Sequence, residues 1–138
     1  MKSKGFFQSI TATLKYVNQE PEISSGAYSI NGNKIEVSLD RVPELESVGN
    51  AASIMDDSLP DSIIIARPEK DKYVVASSKC AHRGRALAYE HDKKVFRCSS
   101  LGYSEFNLDG SRTKGPAGKG INMYGYSIDG DKMTIELD

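Results

Sequence analysis

The sequence predicts an all-β protein, an antiparallel sandwich or small barrel preceded by a short N-terminal helix. Two observations carry this expectation. After the first 20 residues, short strand-like segments alternate with strong turn sequences. The chain is also 138 residues long, which fits one domain and leaves little room for a second.

Each hairpin rests on its own turn chemistry. Tyr28–Ile30 and Lys34–Val37 flank Asn31-Gly32-Asn33, a hairpin turn by composition. Ser62–Ala66 and Lys72–Ala76 flank Pro68–Asp71, and Leu87–Glu90 and Val95–Cys98 flank His91–Lys93. Tyr124–Ile128 and Met133–Leu137 flank Asp129-Gly130-Asp131. Turns this closely spaced point to a sandwich or small barrel. Arg41–Pro60 holds two prolines and scattered polar residues, and reads as loop with a helical turn. At the N-terminus, Phe6, Ile10, Leu14 and Val17 fall at helical spacing, interrupted by Lys4, Gln8, Thr11 and Lys15. Residues 1–20 therefore read as a short amphipathic helix packing on its own domain or on a partner.

Composition excludes several classes. Apolar residues make up 38% and charged residues 27%, which is ordinary for a soluble globular protein and argues against disorder. The formal net charge of −1 gives no global field toward nucleic acid or an anionic membrane. No apolar run approaches the ~20 residues of a transmembrane span. No signal-peptide core follows the N-terminal segment, so a cytoplasmic location is expected. Charge is uneven: Glu36 to Asp61 holds seven acidic residues against Arg41 alone. Around the cysteines stand Lys79, Arg83, Arg85, Lys93, Lys94 and Arg97. This reads as a solvated surface or as a basic rim orienting an acidic partner.

Two cysteines are too few for a disulfide scaffold, and a cytosolic pair suggests metal or redox use. The other reading is two small buried hydrophobes. Cys80-Ala81-His82 is followed after fifteen residues by Cys98. A thiolate and an imidazole on one short turn, with a second thiolate from another loop, suit iron or zinc. That pattern alone leaves a cluster, a mononuclear site and chance all open.

Its surroundings extend the pattern. Cys80-Ala-His82-Arg-Gly84 is followed by Leu87 and Tyr89, then by Phe96-Arg-Cys98. Ser99-Ser-Leu101-Gly102-Tyr103, Phe106-Asn-Leu108-Asp-Gly110 and Gly115-Pro116-Ala117 complete it. Over about forty residues (Lys79 to Ala117) this resembles the cluster-binding subdomain of the Rieske-type [2Fe–2S] family. The soluble ferredoxin-like members are the nearest in kind. The family pattern is Cys-x-His-x-Gly, a hairpin, then Cys-x-x-His-Gly, an aromatic, a turn glycine and Gly-Pro-Ala. Two departures are visible. Leu101 stands where the second motif has its histidine, and one extra residue separates Gly102 from Phe106.

The resemblance implies a Rieske-like domain over 21–138, with an inserted cluster-binding subdomain at about 79–117. In the family, two thiolates hold one iron and two imidazoles the other. Carried over, Cys80 and Cys98 would hold the first iron and His82 the second, which is left one protein ligand short at Leu101. His91 falls at a hairpin turn, away from that end. The other candidates for the vacant position are Ser99, Ser100, Tyr103, Ser104, Glu105 and solvent. Tyr103 and Ser104 also occupy the stretch where the family places groups that tune the cluster.

Three functional readings follow. The first is electron transfer to or from a larger oxidoreductase, through a labile or atypically ligated cluster and a redox partner protein that is acidic at its docking face. The length leaves no room for the separate catalytic domain of the family's oxygenases. The second is a cluster-free fold kept as a binding or assembly module, where Leu101 fills an empty pocket and Cys80 and Cys98 lie within disulfide reach. The third is a mononuclear zinc or iron site on Cys80, His82 and Cys98.

Overall fold

The computed structural model describes residues 20–78, 87–98, 105–109, 112–114 and 121–137. The expected N-terminal helix therefore lies outside the described residues, apart from Glu20, which stands in a bend. Among the described residues the fold is nearly all β, with helix limited to 3-10 turns at Ser25–Ala27, Leu39–Arg41 and Pro43–Glu46.

Among the described residues, eleven strands form two antiparallel sheets. They are β1 (Tyr28–Asn31), β2 (Lys34–Ser38), β3 (Ala51–Ile54), β4 (Ile63–Glu69), β5 (Lys72–Ser77) and β6 (Leu87–Glu90). After them come β7 (Val95–Cys98), β8 (Glu105–Asn107), β9 (Arg112–Lys114), β10 (Met123–Asp129) and β11 (Lys132–Glu136). The larger sheet has the order β1-β2-β11-β10-β5-β4-β3, and the smaller β6-β7-β8-β9. The smaller sheet is thus inserted in sequence between β5 and β10. Strand β10 curls the larger sheet into a half-barrel by changing partners. Met123 and Tyr124 pair with β5, whereas Gly125 to Asp129 pair with β11.

All four predicted hairpins are present: β1–β2, β4–β5, β6–β7 and β10–β11. Two details differ from expectation. Pro68 belongs to β4 and not to the turn, at a register shift between Ala66 and Glu69. A proline that cannot donate to a ladder is tolerated at such a bulge. The second correction is β3, which lies inside the stretch expected to be loop. All four of its residues are buried, and it pairs from Ala51↔Ala66 to Ile54↔Ile63. Two alanines and a serine carry weak strand propensity, so burial against β4 decides this strand. The expected helical turn in the same stretch is the 3-10 turn Pro43–Glu46.

The continuous apolar run of β4 reflects burial on both faces. Ile63 and Ile65 face the half-barrel core with Ile35, Val37, Ile54 and Ile135. Ile64 and Ala66 face the other way, packing with Val74, Ala76, Leu87, Phe96 and Phe106. Strands β4 and β5 are therefore the floor on which the smaller sheet sits.

Two devices lock the sheets together. The lead-in to β1 runs along the edge of β3, where Ser53 donates its N–H to the Pro21 carbonyl (2.7–2.8 Å for this pair and its reciprocal, Ile23 N–H to Ser53 O). At the other contact, the β6–β7 turn docks on Gly49. The Tyr89 hydroxyl and His91 Nδ1 share a hydrogen bond of 2.9 Å. The imidazole lies so close to Gly49 that an added Cβ would stand 3.0 Å from His91 Cδ2. Gly49 also has φ +97°, where a side chain is strained. Gly49→Ala is expected to lower unfolding free energy by about 2 kcal/mol, combining backbone strain with the clash. Urea unfolding measures this, and the cost should shrink in the His91→Ala background, where only the strain remains.

Candidate metal centre

The register of the smaller sheet decides where the ligand-bearing stretches meet it. Leu87 pairs with Cys98, Arg97 with Glu105, and Glu105 with Lys114. The start of β6, the end of β7, the start of β8 and the end of β9 therefore share one end of the sheet. Residues 79–86, 99–104 and 115–120 all join the described strands at that end. These stretches contain Cys80 and His82, then Leu101, then Gly115-Pro116-Ala117. All of them lie outside the described residues. Cys98 is the last residue of β7.

The base beneath this end is solid. Phe96 and Phe106 are paired across β7 and β8 and are both 0% exposed. With Leu87 they press on Ile64, Ala66, Val74 and Ala76.

Two residues considered as extra ligands have other neighbours. His91 lies in the β6–β7 turn, as its spacing predicts, beside Gly49. Three residue rises, about 10 Å, separate the turn end of β6 from the Leu87–Cys98 pair. Glu105 is buried at 6% exposure, and its Oε2 lies 3.6 Å from Lys93 Nζ on that same turn. Ser99, Ser100, Tyr103 and Ser104 lie outside the described residues. Among the described residues, no three or more His, Cys, Asp or Glu side chains gather where a metal ion would be held.

No protein-family model matches the sequence, and no curated protein matches it. Solved structures do match in fold. The ferredoxin of carbazole 1,9a-dioxygenase from Nocardioides aromaticivorans IC177 superposes with a TM-score of 0.59 at 19% identity, covering 74% of this chain and 94% of that one. A chain from the complex of reduced oxygenase and oxidized ferredoxin in carbazole 1,9a-dioxygenase gives 0.64 at 13% identity, covering 78% and 96%. A chain of a hyperthermophilic respiratory Complex III gives 0.53 at 16%, covering 92% and 90%. This is the Rieske fold.

By their chemistry, the two thiolates and one imidazole expected from the sequence would suit three of the four protein positions of a two-iron cluster. Leu101, which the sequence pattern aligns with the fourth, has no lone pair to offer. The described part of the basic rim is partly neutralised. Arg97 Nε lies 3.0 Å from Glu90 Oε2, and Lys93 is the partner of Glu105. Lys94 is exposed, with φ 56°. Lys79, Arg83 and Arg85 lie outside the described residues. A separate cleft of about 510 Å³ sits at the far ends of β5 and β10, between the turns at Lys70–Asp71 and Gly130–Asp131. It is lined by neither cysteine nor histidine. Its Arg67 guanidinium is already engaged with the carbonyls of Leu45, Glu46 and Lys70. Among the described residues, no helix is long and apolar enough to cross a membrane.

Two supporting residues escaped the sequence reading, because nothing local marks them. Both serve the outer edge of β6. The Leu87 N–H donates to Ser78 Oγ at 3.1 Å, and the Tyr89 N–H donates to Glu20 Oε2 at 2.7 Å. Burial raises the Glu20 carboxyl above its ordinary range, against the opposing effect of the Tyr89 bond. A carboxyl whose pKa is higher in the folded state binds its proton more tightly there, so it favours folding at low pH. That advantage is present below pH 4.5 and is lost as pH rises through the folded-state value. Glu20→Gln keeps an acceptor for Tyr89 and removes the titration. The unfolding free energy of wild type relative to this variant should therefore rise as pH falls toward 4.5. A flat difference across that window would show that Glu20 is not perturbed by folding.

Proposed function

We propose that the chain is a Rieske-type iron–sulfur protein that passes electrons to or from a larger oxidoreductase. The observation that carries this is the strand register. It brings Cys98 and the strand ends that adjoin the stretches bearing Cys80-Ala-His82 and Gly115-Pro116-Ala117 to one end of the smaller sheet. Cys80 and Cys98 would hold one iron of a [2Fe–2S] cluster, and His82 the other. The cluster, when bound, supplies reversible one-electron chemistry. The chain's own part is to hold the ligand loops on the Phe96–Phe106 base and to present the site to a partner. Similarity to a ferredoxin, and to a complex of an oxygenase with a ferredoxin, supports a carrier role over a stand-alone enzyme. On this reading the domain is taken to span 21–138, with its working part at about 79–117. The basic residues around the site favour a partner that is acidic at its docking face, in the cytoplasm.

Leu101 specifically favours a second reading, a cluster-free module that binds a partner through the same end. Iron and acid-labile sulfide per chain on anaerobically purified protein, with the EPR spectrum of the reduced sample, tests both. Two irons and two sulfides with a Rieske-like signal support electron transfer. Neither element, even after reconstitution, transfers the proposal to the cluster-free module. Zinc without sulfide would indicate a mononuclear site.

A further inference from the structure

We propose that Ser78 is a positioning residue: its hydroxyl closes the two ends of the stretch carrying Cys80 and His82 against the strand pair that carries Cys98. The inference rests on the reading of Cys80 and Cys98 as ligands of one metal site. Ser78 is 1% exposed, and its own N–H donates to the Ser62 carbonyl at 2.8 Å, so its backbone is anchored to the floor of the fold. Its Oγ accepts from the Leu87 N–H at 3.1 Å, nine residues further along. Leu87 in turn pairs with Cys98 across β6 and β7. Leu87 is thus hydrogen-bonded on its outer side to the residue from which the first ligand stretch starts, and on its inner side it stands directly opposite the second cysteine. Only two residues of chain, at most about 7 Å, run from Ser78 to Cys80.

The bond has a further physical logic. Among the described residues β6 is an edge strand, and the Leu87 N–H faces the side on which no described strand pairs with it. A buried backbone donor needs an acceptor, and here it is the serine that begins the ligand loop. Removing that acceptor leaves the Leu87 N–H without its partner at the start of β6, while the β4–β5 pairing of the main sheet is untouched. Ser77 provides the control. It is equally buried and one residue earlier, but its hydroxyl bonds to Asp61 at 3.4 Å, within the larger sheet's surroundings.

The test uses the metal-free full chain. Two protein thiols and one glutathione disulfide are equilibrated with one protein disulfide and two reduced glutathiones, so the two electrons lost by Cys80 and Cys98 reduce the glutathione. In Ser78→Ala the equilibrium constant for pairing is expected to fall by up to about fivefold, the worth of one typical hydrogen bond if it is fully coupled to pairing. The Leu87 amide should exchange faster by a similar factor, while the Ile64 and Val75 amides keep their wild-type rates. An unchanged pairing constant in Ser78→Ala, or an equal fall in Ser77→Ala, overturns the positioning role. Wild-type cysteines that do not pair at all overturn the positioning role as stated, whereas the site reading falls only if iron and sulfide are also absent after reconstitution.

Discussion

Phe96→Ala is expected to lower the unfolding free energy by about 3–5 kcal/mol, as large-to-small changes at fully buried aromatics do. Phe96 lies at the centre of the second core. Its ring packs 5.8 Å from that of Tyr89, it pairs with Phe106, and it presses on the outer face of β4 and β5. The smaller sheet has four strands of three or four residues each, too few to be independently stable without a face to pack on. Losing the Phe96 ring therefore loosens the sheet that ends in Cys98 more than it does the half-barrel. Urea unfolding followed by circular dichroism gives the total cost. Amide exchange should show β6–β8 losing protection before β2 and β11. A cost below about 1 kcal/mol would mean that the smaller sheet is held by something other than this core.

The second large effect concerns ligation. Leu101→His would restore the imidazole of the family pattern. If the proposed electron-transfer reading holds, this variant should release iron and sulfide to a chelator at least about 10-fold more slowly than wild type. Changes in groups that merely support metal ligands already alter affinity 10–100-fold, and a ligand itself should do no less. The cluster-free reading predicts the opposite sign in a different observable. There the variant gains no iron and loses about 1.5–3 kcal/mol of stability, because an apolar side chain has been removed from the pocket. Metal analysis and urea unfolding on one preparation separate the two.

Much of the architecture was legible because turn chemistry and strand alternation are local. Gly32-Asn33 and Gly130-Asp131 are two-residue turns between strands whose buried residues alternate, and the hairpins form where expected. Local signals fail where burial decides. β3 is a strand because Ala52 and Ile54 complete one core and Ala51 the other, which no residue in it announces. The short β8 and β9 likewise exist through their pairing with β7. The site divides in the same way. Cys80, His82 and Cys98 are proposed from their chemistry in the sequence, and of the three only Cys98 lies among the described residues, at the end of β7. Glu105, a candidate ligand by sequence position, proves to be the partner of Lys93, and Ser78 and Glu20 matter through bonds that span 9 and 69 residues.

The lead-in from Glu20 to Ile23 has a consequence for solubility. Of the four outer edges that the described strands leave in the two sheets, those of β3 and β6 face this short segment. It forms a bridge to Ser53 on one side, and its Glu20 caps Tyr89 on the other. Open strand edges are templates on which a second molecule can add. Four residues thus shield both edges from self-association, and the carboxylate that faces β6 adds a charge that a further strand would have to bury.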